Sequence, residues 1–190
     1  MAGIQQSFLL IIQTAFSLYA IVVLLRVMVH AVGADYYQPL VHAIAKVTDW
    51  PVNKLKKFIP DFRVLETAAL VLLLILFFVK AYLISFVQGA FPNVFGVLIW
   101  SLGSVIHLFL QTMFYLVILR ALLSWLPSFQ MAAIQPLLVQ LTEPLMALAR
   151  RYIPLVGGLD LSPVVLLVAI QVVTLIIANP IISVGLRVAL

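Results

Sequence analysis

The chain contains no cysteine, and only 9% of its 190 residues are charged. Without cysteine there is no disulfide framework, no thiolate nucleophile and no Cys-ligated zinc or iron–sulfur centre. Histidine is almost as scarce. From His30, His42 and His107 no Ser-His-Asp arrangement or metal motif can be assembled, and no nucleotide loop is present, so the chain does not read as an enzyme. So little charge against 65% apolar residues cannot clothe a water-exposed globular surface of this size. Glycine and proline, at 8 and 10 residues, do not indicate disorder, because disordered chains lack the apolar content found here. Long apolar runs dominate instead, as expected of an all-α, polytopic membrane protein.

A transmembrane helix needs about 20 apolar residues, and four stretches qualify: about 4–25, 64–84, 97–119 and 161–185. The first has no basic leader and no small-residue cleavage site, so it reads as a span and not a signal peptide. Within the second, Lys80 lies near the far end, where a long side chain can snorkel to the interface. Lys46, Lys54, Lys56, Lys57 and Arg63 follow span one, Arg150 and Arg151 follow span three, and Arg26 and Arg120 cap those same ends. Only Lys80 and Arg187 lie on the other side. The bias of Lys and Arg toward the cytoplasm therefore predicts cytoplasmic long segments and periplasmic termini.

Shifting the sequence by 94 residues lays Arg26 on Arg120, Thr48 on Thr142, Asp49 on Glu143 and Glu66 on Asp160. The same register lays Lys56-Lys57-Phe58-Ile59-Pro60 on Arg150-Arg151-Tyr152-Ile153-Pro154. Apolar runs align anywhere, but a series of charges, threonines and prolines does not. Two tandem repeats, 1–94 and 95–190, follow, each a helix, a long cytoplasmic segment and a second helix. An even number of spans per copy gives both copies one orientation, a parallel duplication.

In the second long segment Leu137, Leu138, Leu141, Leu145, Leu148 and Tyr152 form a helical stripe, while Pro144 is expected to break or kink the helix. The first segment repeats this less cleanly with Tyr37, Leu40, Val41, Ile44, Val47, Leu55 and Phe58, broken at Pro51. Such amphipathic helices either lie in the membrane interface, basic ends on anionic headgroups, or pack on their own bundle. Spacing does not separate the two.

The runs Arg120-Ala-Leu-Leu-Ser124-Trp125-Leu-Pro127, Leu141-Thr142-Glu143-Pro144-Leu145, Arg150-Arg151-Tyr-Ile-Pro154 and Gly157-Gly158-Leu-Asp160-Leu-Ser162-Pro163 resemble the signature of the YggT/YlmG family. The resemblance covers all of copy two; copy one keeps Arg26, Thr48-Asp49 and the basic-aromatic-Ile-Pro run but lacks the Ser-Trp-x-Pro and Gly-Gly elements. It implies a bacterial inner-membrane protein with relatives linked to osmotic tolerance, division or nucleoid distribution, and plastid cytochrome assembly. It brings no catalytic residues and no cofactor.

Polar groups inside spans are costly and mark the remaining candidates. Gln13, His107 and Gln171 fall near the bilayer midplane, and Gln111 continues a stripe with Ser104 and His107. This layer should face the bundle interior, as interhelical glue or as a permeation path. Arg26 with Glu66, and Arg120 with Asp160, are expected at matching depths, each pair closing its own hairpin; lipid phosphate is the competing partner for the arginines. Gly157-Gly158 suits a tight turn, Ser162 an N-cap and Pro163 a first helical position. Lys56, Lys57, Trp125, Arg150 and Arg151 are candidate contacts to anionic lipid or to a partner, Trp125 as an interfacial anchor. Two functions are compatible with these residues: a scaffold or assembly factor organising membrane-protein partners, further copies of itself or lipids at the cytoplasmic face, and a small oligomeric channel or transport accessory. Nothing points to direct nucleic-acid binding.

Overall fold

The structure is a computed structural model that describes residues 2–61, 65–89, 91–125, 134–152 and 160–189, with backbone alone at 2, 3 and 125. Its elements are all helical: α1 (Ala2–Ala31), α2 (Pro39–Lys56), α3 (Thr67–Val87), α4 (Val94–Trp125), α5 (Gln135–Tyr152), α6 (Ser162–Val173), a π-helical turn (Thr174–Ala178) and α7 (Asn179–Ala189). Four rods are long and apolar enough to cross a membrane, at Ile4–Ala31, Thr67–Val87, Val94–Ser124 and Ser162–Ala189. The first and third run past Arg26 and Arg120, where the apolar windows stopped. Those arginines are neutralised inside the protein, so the helix has no reason to end at them.

The rods stand in a row. Helix α1 packs on α3, α3 on α4, and α4 on the α6–α7 rod, whereas α1 and α4 barely touch. The core runs along the row through Val23, Leu24, Leu73, Phe77, Val117 and Leu166. Where α4 meets α7, glycine permits close approach: a Cβ on Gly185 would land on the Trp100 backbone, and one on Gly96 would land on Ala189. A backbone bond from Asn93 N–H to the Ala189 carbonyl, 3.0 Å, fixes the same end.

The fourth rod is not uniform. Pro180 cannot donate to the carbonyl four residues back, and its ring crowds that carbonyl; immediately before it the helix widens into the π-turn, in which Asn179 N–H reaches the Thr174 carbonyl.

Helices α2 and α5 lie at one end of the row, α2 against α1 and α3, α5 against α4 and α6. Each continues through its proline, contrary to the expected breaks at Pro51 and Pro144. An interior proline costs about 3 kcal/mol, and here burial on both sides of it holds the helix together: Thr48 and Val52 about Pro51, Thr142 and Met146 about Pro144. The buried face of α5 is Leu137, Leu138, Leu141, Thr142 and Met146, packed on its own bundle. Leu148 and Tyr152, from the same expected stripe, stay exposed.

Candidate functional site

The site begins with a buried threonine. Thr48 and Thr142 are 0% exposed, and a threonine in a helix interior can donate its hydroxyl to the carbonyl one turn back. Thr48 Oγ1 donates to the Ile44 carbonyl at 2.7 Å and Thr142 Oγ1 to the Leu138 carbonyl at 2.7 Å. Each oxygen keeps a lone pair for an arginine from the neighbouring span. Arg26 Nη1 donates to Thr48 Oγ1 at 2.8 Å, and Arg120 Nη1 donates to Thr142 Oγ1 at 2.8 Å. The residue after each threonine completes the grip: Arg26 reaches Asp49 at 2.6 Å, and Arg120 reaches Glu143 at 2.6 Å. An arginine thus latches α2 to α1, and its counterpart latches α5 to α4, at the same distances, with Nη1 on the threonine in both copies and the acidic residue held by Nη1 in the first and Nη2 in the second.

Beyond the threonine and its acidic neighbour the two copies part. Glu66, 2% exposed, accepts from Arg26 Nε at 2.6 Å and Nη2 at 2.9 Å, a two-pronged carboxylate–guanidinium pair. Lys56 Nζ adds a contact to Glu66 at 2.7 Å and one to Asp61 at 3.0 Å. Burial pushes the Glu66 carboxyl up, and the hydrogen bonds from Arg26 and Lys56 outweigh it, leaving the group below its ordinary range. For Lys56, burial pulls down and the Glu66 and Asp61 contacts more than compensate, so its pKa is raised.

The expected pair of Arg120 with Asp160 does not form. Asp160 Oδ2 accepts from Arg150 Nε at 3.0 Å, and its Oδ1 accepts the Ser162 backbone N–H at 2.9 Å. Aspartate is one methylene shorter than glutamate, and both of its oxygens are engaged at the start of α6. Its carboxyl, pushed up by burial, is brought below its ordinary range by Ser162 and Arg150. The cap position of α6 is Leu161, with Ser162 the first helical residue; the acceptor expected of the Ser162 hydroxyl comes from Asp160. The Gly157-Gly158 turn lies outside the described residues, as does the Trp125 side chain.

The polar layer also differs from expectation. Gln13, Gln111 and Gln171 face outward, not into the bundle, and Ser104 spends its hydroxyl on its own helix, donating to the Trp100 carbonyl at 2.8 Å. His107, Gln111, Gln171 and Thr174 line a cavity of about 130 Å³ beside the π-turn, into which Gln13 does not reach. His107 Nδ1 is buried there without a hydrogen-bond partner. Lys80 turns inward instead of snorkelling, donating to Ser17 Oγ on α1 at 2.9 Å. Lys57 and Arg151 are exposed. The threonines and Asp49 and Glu143 are legible in the sequence as a repeated pattern but not as arginine partners, the signal being that a threonine followed by an acidic residue recurs under the 94-residue shift.

These features define an all-helical protein, made by duplication of a helix, a latched surface helix and a second helix, whose four apolar rods fit a multi-pass membrane protein. The chain belongs to the CCB3/YggT family, whose sequence profile matches it twice, at residues 5–87 and 99–181. It is 34% identical over 183 residues to a Pseudomonas aeruginosa protein, covering 94% of this chain and 92% of the relative. It is 30% identical to YggT of Escherichia coli K12 over 173 residues, covering 89% and 88%, and 35% identical to a Vibrio alginolyticus protein over 164 residues, covering 85% and 88%. No solved structure matches the chain.

Proposed function

We propose that the protein is a non-enzymatic scaffold or assembly factor of the bacterial inner membrane, organising partners or lipids at the cytoplasmic face. The observation that supports this reading is the pair of arginine latches. They hold α2 and α5 rigidly at one end of the row, leaving Val47, Trp50 and Phe58 on one copy and Leu148 and Tyr152 on the other exposed. Lys54 stacks on Trp50 at 3.7 Å, and Lys57, Arg150 and Arg151 add positive charge beside the apolar groups, a combination suited to anionic headgroups or to the juxtamembrane part of a partner. Orientation rests on the Lys and Arg bias. Asn53→Cys and Arg151→Cys should react with impermeant maleimide only after the inner membrane is opened, and labelling in intact cells overturns the orientation. Photocrosslinkers placed at Trp50 and Leu148 in the full-length protein should capture discrete membrane partners; cross-links to lipid alone would reduce the role to lipid organisation, as under osmotic stress or at division.

The outward polar groups favour a second reading, an oligomeric channel or transport accessory. Among the described residues the rods stand in a row and enclose no path within one chain, so His107, Gln111 and Gln171 would line one between copies. Flux through proteoliposomes that disappears with His107→Ala and Gln171→Leu supports it; no flux above empty vesicles removes it.

A further inference from the structure

The two copies differ in how closely their helices pack around the arginine. Between α4, α5 and the start of α6 lies a cavity of about 520 Å³, whose lining includes Arg120, Arg150, Asp160, Ile118, Val164 and Leu167. Under the 94-residue shift the corresponding positions are Arg26, Lys56, Glu66, Leu24, Leu70 and Leu73. There the space is closed: Leu24 is 2% exposed, Leu73 0% and Glu66 2%, and the cavity beside Arg26 and Glu66 measures only about 100 Å³. In copy one a glutamate of the chain itself occupies the arginine and the core closes behind it. In copy two Val164 is 57% exposed and Leu161 40%, and the carboxylate has withdrawn to Arg150.

That withdrawal leaves one edge of Arg120 without a partner among the described residues. Arg26 gives its Nε and Nη2 to Glu66; Arg120 gives Nη1 to Thr142 and Nη2 to Glu143, and its Nε has no partner among the described residues. Guanidinium presents its donors as a planar fork matched to carboxylate and phosphate oxygens. The rest of the lining sets the other half of the ligand. From Asp160 to Leu167 the wall descends about 10 Å along the membrane-spanning rod, and apart from the charged rim it is aliphatic. A free inorganic anion would leave that wall uncovered, whereas an acyl chain lying beside Ile118, Val164 and Leu167 covers it.

We propose that the copy-two cavity is a binding site for an anionic phospholipid, the phosphate held by that edge of Arg120 with Arg150 beside it, and an acyl chain along the aliphatic wall. Copy one carries the same site stoppered by Glu66. The proposal does not depend on whether α2 and α5 recruit a partner.

The test uses the full chain in an uncharged detergent, with phosphatidylglycerol, phosphatidylcholine of the same chains and inorganic phosphate as probes. Native mass spectrometry reads retained lipid, and thermal unfolding reads stabilisation by each probe. Phosphatidylglycerol should be retained and should raise the melting temperature, and the other two should do neither. Two variants leave the arginines in place. Asp160→Glu supplies the missing methylene and should stopper the site as Glu66 does; Leu167→Trp fills the apolar floor. Each should weaken phosphatidylglycerol binding by about tenfold or more, with the lipid-free melting temperature confirming that the variant is folded. Equal retention of phosphatidylcholine overturns the proposal, as does wild-type retention by either folded variant. Stabilisation by inorganic phosphate equal to that by phosphatidylglycerol also overturns it, assigning the cavity to the free anion.

Discussion

The two halves of the molecule share one latch and differ in what closes it. Both bind a buried threonine and the acidic residue after it with an arginine from the preceding span. In the first half Glu66 adds the third side of the grip, within a cluster of Arg26, Lys56, Asp49, Asp61 and Glu66. In the second, the carboxylates of Asp160 and Glu143 remain 31% and 43% exposed. Duplication has therefore produced one half built as a closed structural core and one half built open. A single methylene, glutamate against aspartate, accompanies that divergence.

The largest effect should come from removing the arginine of the closed half. Arg26→Ala takes the two-pronged partner from Glu66 in a setting with little water, where losing one partner of a buried pair costs about 3–5 kcal/mol; the Lys56 contact that remains should hold the loss near the lower end of that range. Arg120→Ala leaves carboxylates that water can reach, and its cost should be no more than about half of that, measured as unfolding free energy in detergent. Double variants sharpen the contrast. Arg26→Ala with Glu66→Ala should cost much less than the sum of its parts, whereas Arg120→Ala with Asp160→Ala should lie much closer to additive, because those two side chains do not meet and are joined only through the partly exposed Glu143 and Arg150. Additivity in both halves would erase the distinction drawn between them.

At the opposite end of the rods the halves are again held differently. The α1–α3 hairpin uses polar side chains, Gln5 to the Val87 carbonyl at 2.8 Å and Lys80 to Ser17, whereas α4 and α7 rely on glycine. Gly185→Leu forces a side chain onto the Trp100 backbone and should cost about 1–3 kcal/mol or more, while Gln5→Ala at the facing end should cost about 1 kcal/mol. Cysteine cross-linking between α4 and α7 would show whether the rods have separated.

Acid should act chiefly on the closed half. Glu66 lies below its ordinary value of 4.5 when folded, so its contribution is complete above that value and is lost as the pH falls through the lower folded one. Unfolding followed from neutral pH downward should show this loss, and Glu66→Gln should remove most of it. The smallest change is expected at the rim. Arg150→Ala breaks contacts whose partners are all partly exposed, with an expected cost of about 0–1 kcal/mol.

Much of this architecture is legible in the sequence, for identifiable reasons. Apolar length marks four rods, and because charges, threonines and prolines do not recur at a fixed offset by accident, the duplication and the residues of both latches appear in the alignment of the chain with itself. The partner of each arginine is not legible. Several carboxylates lie within reach of a long side chain, and whether Asp160 extends to Arg120 depends on backbone placement at the start of α6. Helix rotation is equally hidden when apolar residues surround a rod on every side, which is why the sequence points Gln13, Gln111 and Gln171 to the interior and Lys80 to the interface while the structure does not. Nor does Pro144 announce that α5 survives it. That outcome is decided by Leu141, Thr142 and Met146 being buried together on the bundle.

The π-turn before Pro180 acts as an angular correction. At 3.6 residues per turn, Ser162, Leu166, Ile170, Ala178 and Gly185 would be spread over about 160° of azimuth on an uninterrupted α-helix. An i→i+5 turn absorbs about one additional residue, setting everything after it back by roughly 100° and drawing those five positions into a sector of about 80°. The buried edge of the fourth rod is straight only because of that offset: Ala178 stays in line with Ile170, and Gly185, not a bulkier neighbour, is turned toward Trp100. A return of residues 174–178 to α-helical geometry at unchanged residue count, which Pro180→Ala would permit, would keep the rod's length and hydrophobicity nearly unchanged while rotating its far third off α4, whereas deleting one residue there would remove the π-turn and keep the facing.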